Sequence, residues 1–338
     1  MDNSQQSTDN GQRATVNGRP TTDNGRQANG TLIVLLGPTA VGKTELSLRL
    51  AKLLSCPIIS ADSRQIYRDI PIGTAAPTAD ELAAVKHFFI HQLALGEYYS
   101  AAQYEADVMQ LLRTEPTRGE GWGGTPDAPF ALLTGGSMMY IDAVCNGIDD
   151  IPTISPAIRA TMRQRLQVEG LDALVAELQR LDPEYYAVVD RKNPKRIVHA
   201  LEICHQSGQT FTSLRKNERK PRPFRIVKIG LQRPREQLFE RINRRVDQMM
   251  SDGLLDEVRR VYPLRNLNSL NTVGYKELFN VLSGEWELPM AVERIKKNTR
   301  VYAKKQMTWF QRDPSIHWVS LDQPDAFSEI LSILRQQA

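Results

Sequence analysis

The chain has 338 residues, 41% of them hydrophobic, enough to bury one large core or two smaller ones, so disorder is excluded as a description of the whole. Charged residues make up 24% and the formal net charge is +4. A nucleic-acid role therefore cannot be inferred from the total and has to come from local clustering of charge.

Residues 1–30 are dominated by Asn, Gln, Thr, Gly and Asp without an aromatic side chain. They offer too little apolar surface to offset the entropy of ordering and are expected to form a disordered tail. At Thr31 the character changes: Leu32, Ile33, Val34, Leu35 and Leu36 make a continuous apolar run suited to a strand buried on both faces, ended by Gly37. A helical pattern from Lys43 to about Leu54 follows, then Pro57, Ile58 and Ile59 lead into a short strand ending at Ser60 and Ala61. This βαβ unit implies a parallel sheet. Phe130–Thr134 reads as another strand running into Gly135 and Gly136, after a Gly/Pro-rich stretch from Arg118 to Pro129 that reads as an exposed loop. From about Ile148 to Leu214 amphipathic helices dominate, as in the series Leu166, Leu171, Leu174, Val175 and Leu178. Phe224–Leu231 alternates as one more strand, and the chain is mostly helical from there to about Phe310.

The expected fold class is α/β. A parallel sheet flanked by helices occupies 31–147 and 215–320, a helical insertion 148–214, and a C-terminal segment 321–338. Cys56, Cys145 and Cys204 are far apart, lack metal-ligand spacing and leave an odd thiol in any disulfide scheme, as suits a reducing compartment. Without an apolar run of membrane-spanning length, or the apolar stretch of a signal peptide in residues 1–30, the expected location is the cytoplasm, with no membrane partner.

Gly37, Pro38, Thr39, Ala40, Val41, Gly42, Lys43 and Thr44 match G-x-x-x-x-G-K-[ST] between a buried strand and a helix, the context that the motif requires. Its glycines let backbone N–H groups converge on phosphate oxygens, Lys43 supplies positive charge, and the Thr44 hydroxyl is a candidate Mg²⁺ ligand. A di- or triphosphate is therefore the expected ligand. Asp62 ends the next strand, at the carboxyl edge where open α/β sheets bind ligands. A carboxylate there suits either a metal ion or the proton of an incoming nucleophile.

Several segments together resemble the tRNA dimethylallyltransferases, also called tRNA isopentenyltransferases. They are GPTAVGKT (37–44), ISADSRQIY (59–67), IGTAAPT (72–78), LLTGGSMMYIDAVCNGI (132–148), NPKRIVHALEI (193–203), NTVGYKE (271–277) and KKQMTWFQRD (304–313). The resemblance spans about Leu32 to Asp313 and implies a P-loop NTPase-like core with a helical insertion. It implies that the P-loop holds the diphosphate of dimethylallyl diphosphate, that Asp62 is the base toward the exocyclic amine of a flipped-out adenine, and that Mg²⁺ and an arginine steady the leaving group. That arginine falls in Glu240–Val246, where helical alignment favours Arg245 over its neighbour Arg244. The product implied is N6-dimethylallyladenosine at tRNA position 37, next to the anticodon; a monomer is expected. Where the family often has Gly-Thr-Met, this chain has Gly136-Ser137-Met138, which keeps a hydroxyl. After residue 205 it carries no C₂H₂ cluster, so it looks like the bacterial form, with no zinc expected.

Between Arg191 and Arg245 stand 16 Lys or Arg against 4 Asp or Glu, an excess of 12, and between Arg294 and Arg312 seven Lys or Arg face no acid. The first is the footprint of a phosphate backbone. The second is interleaved with Tyr302, Trp309 and Phe310, a mixture suited to unpaired bases. By resemblance the tRNA anticodon stem-loop is contacted through Asp62, Ser63, Arg64 and Gln65, through Lys195, Arg196, Ile197, Val198 and His199, and through Asn271, Thr272, Val273, Gly274, Tyr275 and Lys276, although His199 and Tyr275 suit an interior place equally well. Alternative readings are an ATP-using nucleotide kinase with the same loop, an isopentenyltransferase acting on free adenine nucleotides, and a non-catalytic nucleotide-gated RNA-binding module.

Overall fold

The computed structural model describes residues 30–113, 121–125, 128–216 and 218–337. The expected tail, up to residue 29, and part of the expected Arg118–Pro129 loop lie outside them. In chain order the elements are β1 Thr31–Leu36, α1 Lys43–Leu54, β2 Ile58–Ala61, α2 Pro71–Thr74, α3 Ala79–Ala84, β3 His87–Phe88, α4 Ala101–Arg113, β4 Gly123–Thr125, β5 Ala128–Gly135 and α5 Met138–Asn146. Next come α6 Pro156–Val168, α7 Gly170–Leu181, α8 Pro183–Val188, α9 Pro194–Ser207 and α10 Phe211–Leu214. The chain closes with β6 Arg225–Gln232, α11 Arg235–Ser251, α12 Leu254–Val261, α13 Tyr275–Leu282, α14 Leu288–Phe310, β7 Ile316–Ser320 and α15 Ala326–Gln337. No helix of the described residues is long and apolar enough to cross a membrane.

The chain divides into two compact units, 1–145 with 222–338, and 146–221. The sequence placed the change of character at 148 and 214, inside these limits, because a hydrophobic pattern marks where helices start rather than where contacts change. It also set residues 321–338 apart. In the structure α15 buries Ala326, Ile330 and Leu334 in the same cluster as Ile33 and Leu35 of β1, so it belongs to the first unit.

In the first unit the strands run in the order β3-β2-β5-β1-β6-β7, all parallel, with β4 antiparallel on the start of β5. Strand β1 lies at the centre, and its side chains alternate between two cores. Leu32, Val34 and Leu36 join one cluster, Ile33 and Leu35 the other. Each such fully buried side chain contributes about 1.5–3 kcal/mol. Strands β3, β4 and β7 were not legible as strands, being only two, three and five residues long. Short strands at the margins carry little of the apolar signal that marks a central one.

Register places the site. Leu36 pairs with Gly135, and Ala61 also pairs with Gly135, so β1, β5 and β2 end level. The segments beginning at Gly37, Gly136 and Asp62 therefore leave one sheet edge side by side. The second unit packs Met162, Leu174, Leu178, Ile197, Leu201 and Phe211 into its own core. Its helices α6, α8 and α9 start at Ser155, Asp182 and Asn193, whose side chains accept from backbone N–H groups of the first turn, each followed by a proline.

Candidate active site

The phosphate loop turns sharply between β1 and α1. Gly42 stands before α1 at φ 118°, a backbone conformation that side chains resist. Ala40 is held at φ 63°, which costs a non-glycine residue about 1–3 kcal/mol and persists only where neighbours hold it. One such neighbour is Arg241, whose Nε donates to Ala40 O at 2.9 Å. Arg233 donates to Val41 O and to Leu321 O, both at 2.8 Å. The Lys43 ammonium donates to the carbonyls of Gly37 and Pro38 at 3.0 and 2.9 Å. Burial, and then the Arg245 guanidinium, push Lys43 down to about 7 against the pull of Asp62.

Asp62 directly follows β2. Its Oδ1 accepts the N–H groups of Arg64 and Gln65 at 2.9 and 3.4 Å, which closes a turn. Its Oδ2 makes no hydrogen bond with a described residue, and the carboxylate faces the cleft that the phosphate loop lines. Ser137, which follows β5, supports the same turn: its Oγ accepts the Ser63 N–H at 2.8 Å and its own N–H donates to Ala61 O at 3.1 Å. The hydroxyl kept at position 137 is thus part of the frame around Asp62.

Arg245 and Arg244, one residue apart on α11, differ in placement. Arg245 turns inward and donates to Thr39 Oγ1 of the loop at 3.2 Å. Burial lowers its guanidinium from the usual value and Asp62 opposes the shift. An arginine stays charged under such a shift. Arg244 is exposed at the rim and pairs with Glu240 one turn back.

One cleft of ≈ 1030 Å³ takes in Thr39, Ala40, Gly42, Lys43, Thr44, Asp62, Gln65, Arg245 and Tyr302. That volume suits a small donor together with one base. Desolvation within the cleft and the Asp62 charge push the Tyr302 phenol up to about 12, so it is neutral. The segment from Pro71 to Ala79 forms a further wall of the cleft, and three residues hold that wall. The Gln65 amide donates to Thr74 O and Ala75 O at 3.2 and 2.9 Å. Glu257, fully buried, accepts the N–H groups of Ile72 and Gly73 at 2.9 and 2.8 Å and the Tyr275 hydroxyl at 2.5 Å. Tyr275 lies so close to Gly73 that a Cβ there would meet its hydroxyl at 2.4 Å and its ring at 2.6 Å.

The cleft has the means to hold a metal ion only with a ligand's help. Thr44 presents an exposed hydroxyl and Asp62 a carboxylate. Among the described residues no group of three or more His, Cys, Asp or Glu could hold a metal ion. A cation here would take most of its ligands from phosphate oxygens and water, which is the habit of Mg²⁺.

Other expected residues lie elsewhere. Ser63 and Arg64 continue the Asp62 turn, with their backbone engaged in it. Asn271 and Lys276 are exposed near the start of α13, with Thr272 partly so. Val273 packs on the core and Gly274 donates its N–H to Glu277. Tyr275 is fully buried, so its side chain braces the cleft wall and offers no surface to RNA. Lys195, Arg196 and His199 are exposed on α9 of the second unit, whereas Ile197 is fully buried and Val198 packs on that unit's core. Helical periodicity requires one face of α9 to be covered, so Ile197 is a core residue rather than a contact. The aromatic residues after Arg294 divide likewise. Tyr302 lines the cleft, Phe310 is buried, and Trp309 packs on the core and donates to Asp142 Oδ2 at 2.7 Å. Arg241, Gln306 and Glu257 were not singled out from the sequence, although a four-residue spacing puts Arg241 and Arg245 on one helix face.

Residues 65–313 match the family model described as IPP transferase. The chain is 59% identical to tRNA dimethylallyltransferase 1 of Bacteroides thetaiotaomicron over 307 residues, 91% of this chain and 96% of that one. Its fold superposes with a TM-score of 0.65 on the full-length tRNA isopentenylpyrophosphate transferase of Bacillus halodurans, 33% identical, covering 91% and 96% of the two chains. With a eukaryotic dimethylallyltransferase acting on tRNA the TM-score is 0.72 at 25% identity, covering 90% and 78%. With such identity over nearly its whole length, the chain belongs to the IPP transferase family, that of the tRNA dimethylallyltransferases.

Proposed function

We propose that the chain transfers the dimethylallyl group of dimethylallyl diphosphate to the N6 amine of adenine at tRNA position 37, next to the anticodon. The observation that carries this reading is one cleft holding both a phosphate loop and the Asp62 carboxylate. The C1–O bond of the donor breaks, a C1–N6 bond forms, the N6 proton passes to Asp62, and diphosphate leaves intact. Negative charge grows on the leaving oxygen, and Lys43, Arg245 and loop N–H groups are placed to stabilise it. Thr44 would hold Mg²⁺ beside the diphosphate, where the ion would add to that stabilisation as a Lewis acid. An adenine within a stem-loop has to leave its stack to reach the cleft. The exposed cations of α9 and α14 suit the RNA backbone.

Incubating the full chain with labelled dimethylallyl diphosphate, Mg²⁺ and unmodified tRNA tests the reading: label is expected in the RNA, at the adenine beside the anticodon. Label on free adenine nucleotides alone, or phosphoryl transfer from ATP in a parallel reaction, would replace it with one of the alternatives.

A further inference from the structure

Gln306 lies on α14, one turn after the cleft-lining Tyr302, and is 1% exposed. With Ala303 and Phe310 it forms the buried stripe of the helix, and at the edge of the cleft its carboxamide is almost wholly shut off from water. Such a group is costly to bury unless both ends are hydrogen-bonded. Here both are. Oε1 accepts the Thr39 N–H at 2.9 Å, and Nε2 donates to Gly136 O at 2.8 Å. A backbone N–H only donates and a carbonyl only accepts, so the partners fix which way the amide points.

The two partners belong to the two halves of the site. Thr39 is in the phosphate loop and carries the hydroxyl that Arg245 contacts. Gly136 follows β5, and the next residue, Ser137, bonds to Ala61 and Ser63, the residues on either side of Asp62. A path of hydrogen bonds thus runs from the donor loop through one carboxamide to the turn of the proton acceptor. The fit is close: a Cβ on Gly136 would stand 2.3 Å from Gln306 Nε2. The Thr39 N–H, given to Gln306, is one loop amide that does not serve the phosphates.

We infer that Gln306 is a positioning residue that locks the phosphate loop to the Asp62 turn and so sets the spacing between leaving group and proton acceptor. This rests on the proposed prenyl transfer. Misplacement of reacting groups by about an ångström costs on the order of a hundredfold in rate while leaving each binding determinant in place. The signature expected is therefore a loss in the chemical step and not in affinity.

The test measures single-turnover prenyl transfer by the full chain at saturating tRNA and donor, with separate dissociation constants for each. Q306A removes both bonds. Q306M, which keeps the length and suits the buried stripe, guards against misfolding. Both are expected to lose roughly tenfold to a hundredfold in rate with affinities within about threefold of the parent chain. G136A is expected to slow the parent chain, whose carboxamide it displaces, yet to add less than about twofold to Q306A, where its methyl has room. Rates within about twofold of the parent chain in Q306M, or affinities falling in step with the rate, would overturn the inference, the second marking a brace that serves folding alone. A parent chain that puts no label into tRNA sinks the proposed function itself, and this inference with it.

Discussion

Cations serve both the loop edge of the sheet and the α9 face of the second unit, but in opposite settings. At the sheet edge they are turned inward onto the backbone. Lys43 bonds two loop carbonyls, Arg241 a third and Arg233 a fourth, and Arg245 reaches the Thr39 hydroxyl. On α9, Lys195 and Arg196 stand exposed on the side opposite Ile197 and Leu201. A charge braced against the backbone acts through its place relative to the reacting atoms. An exposed charge acts through long-range attraction that salt screens. Loss of the first kind should appear in turnover and in donor binding, and of the second in tRNA affinity and its salt dependence.

The sharpest break of that contrast is at Asp62, whose acceptance of the N6 proton is expected to be worth about a hundredfold to ten-thousandfold. Asp62→Asn keeps the size of the side chain and its bonds to the turn. Its single-turnover rate should fall by that range with near-normal affinity for tRNA and donor. Loss of Mg²⁺-dependent donor binding, restored by excess Mg²⁺, would instead make Asp62 a metal ligand.

Next in size is Lys43→Ala, expected to cost about tenfold or more in turnover. Its pH dependence sharpens the point. With the ammonium pushed down to about 7, its charge is present below that pH and lost above it, whereas a bound diphosphate favours the charged form. Donor affinity measured by titration calorimetry should therefore weaken as pH rises above about 7, by up to about tenfold per unit. An arginine keeps its charge throughout, so K43R should lack that decline.

A third prediction concerns the wall. Glu257→Gln sets an amide N–H₂ against one of two backbone N–H donors, and denaturant unfolding should show a loss of about 1–3 kcal/mol. Tyr275→Phe, which deletes one hydroxyl, should lose about 0.5–1.5 kcal/mol. Equal stability in both variants would show that the carboxylate does not hold the wall. The smallest effect belongs to α9. Changing Lys195 and Arg196 together to Ala should weaken tRNA binding several-fold and flatten its salt slope by about one to two. An unchanged slope would assign these side chains to a solvated helix face.

What the sequence determined was local. The phosphate loop is eight consecutive residues between a buried run and a helix, and Asp62 directly follows a strand, so position in a βαβ unit was enough to place both at one sheet edge. Tertiary structure decided which residues hold that edge. The Gln306–Thr39 bond joins residues 267 apart, Arg241–Ala40 residues 201 apart, and Glu257–Ile72 residues 185 apart. No periodicity within a helix announces such a partner. The same blindness made Trp309 and Phe310 look like contact residues, while the resemblance alone set Tyr275 and Ile197 in segments that contact tRNA. An apolar or aromatic side chain beside a cation reads alike whether it faces RNA or the core, and only packing settles which face of a helix is covered.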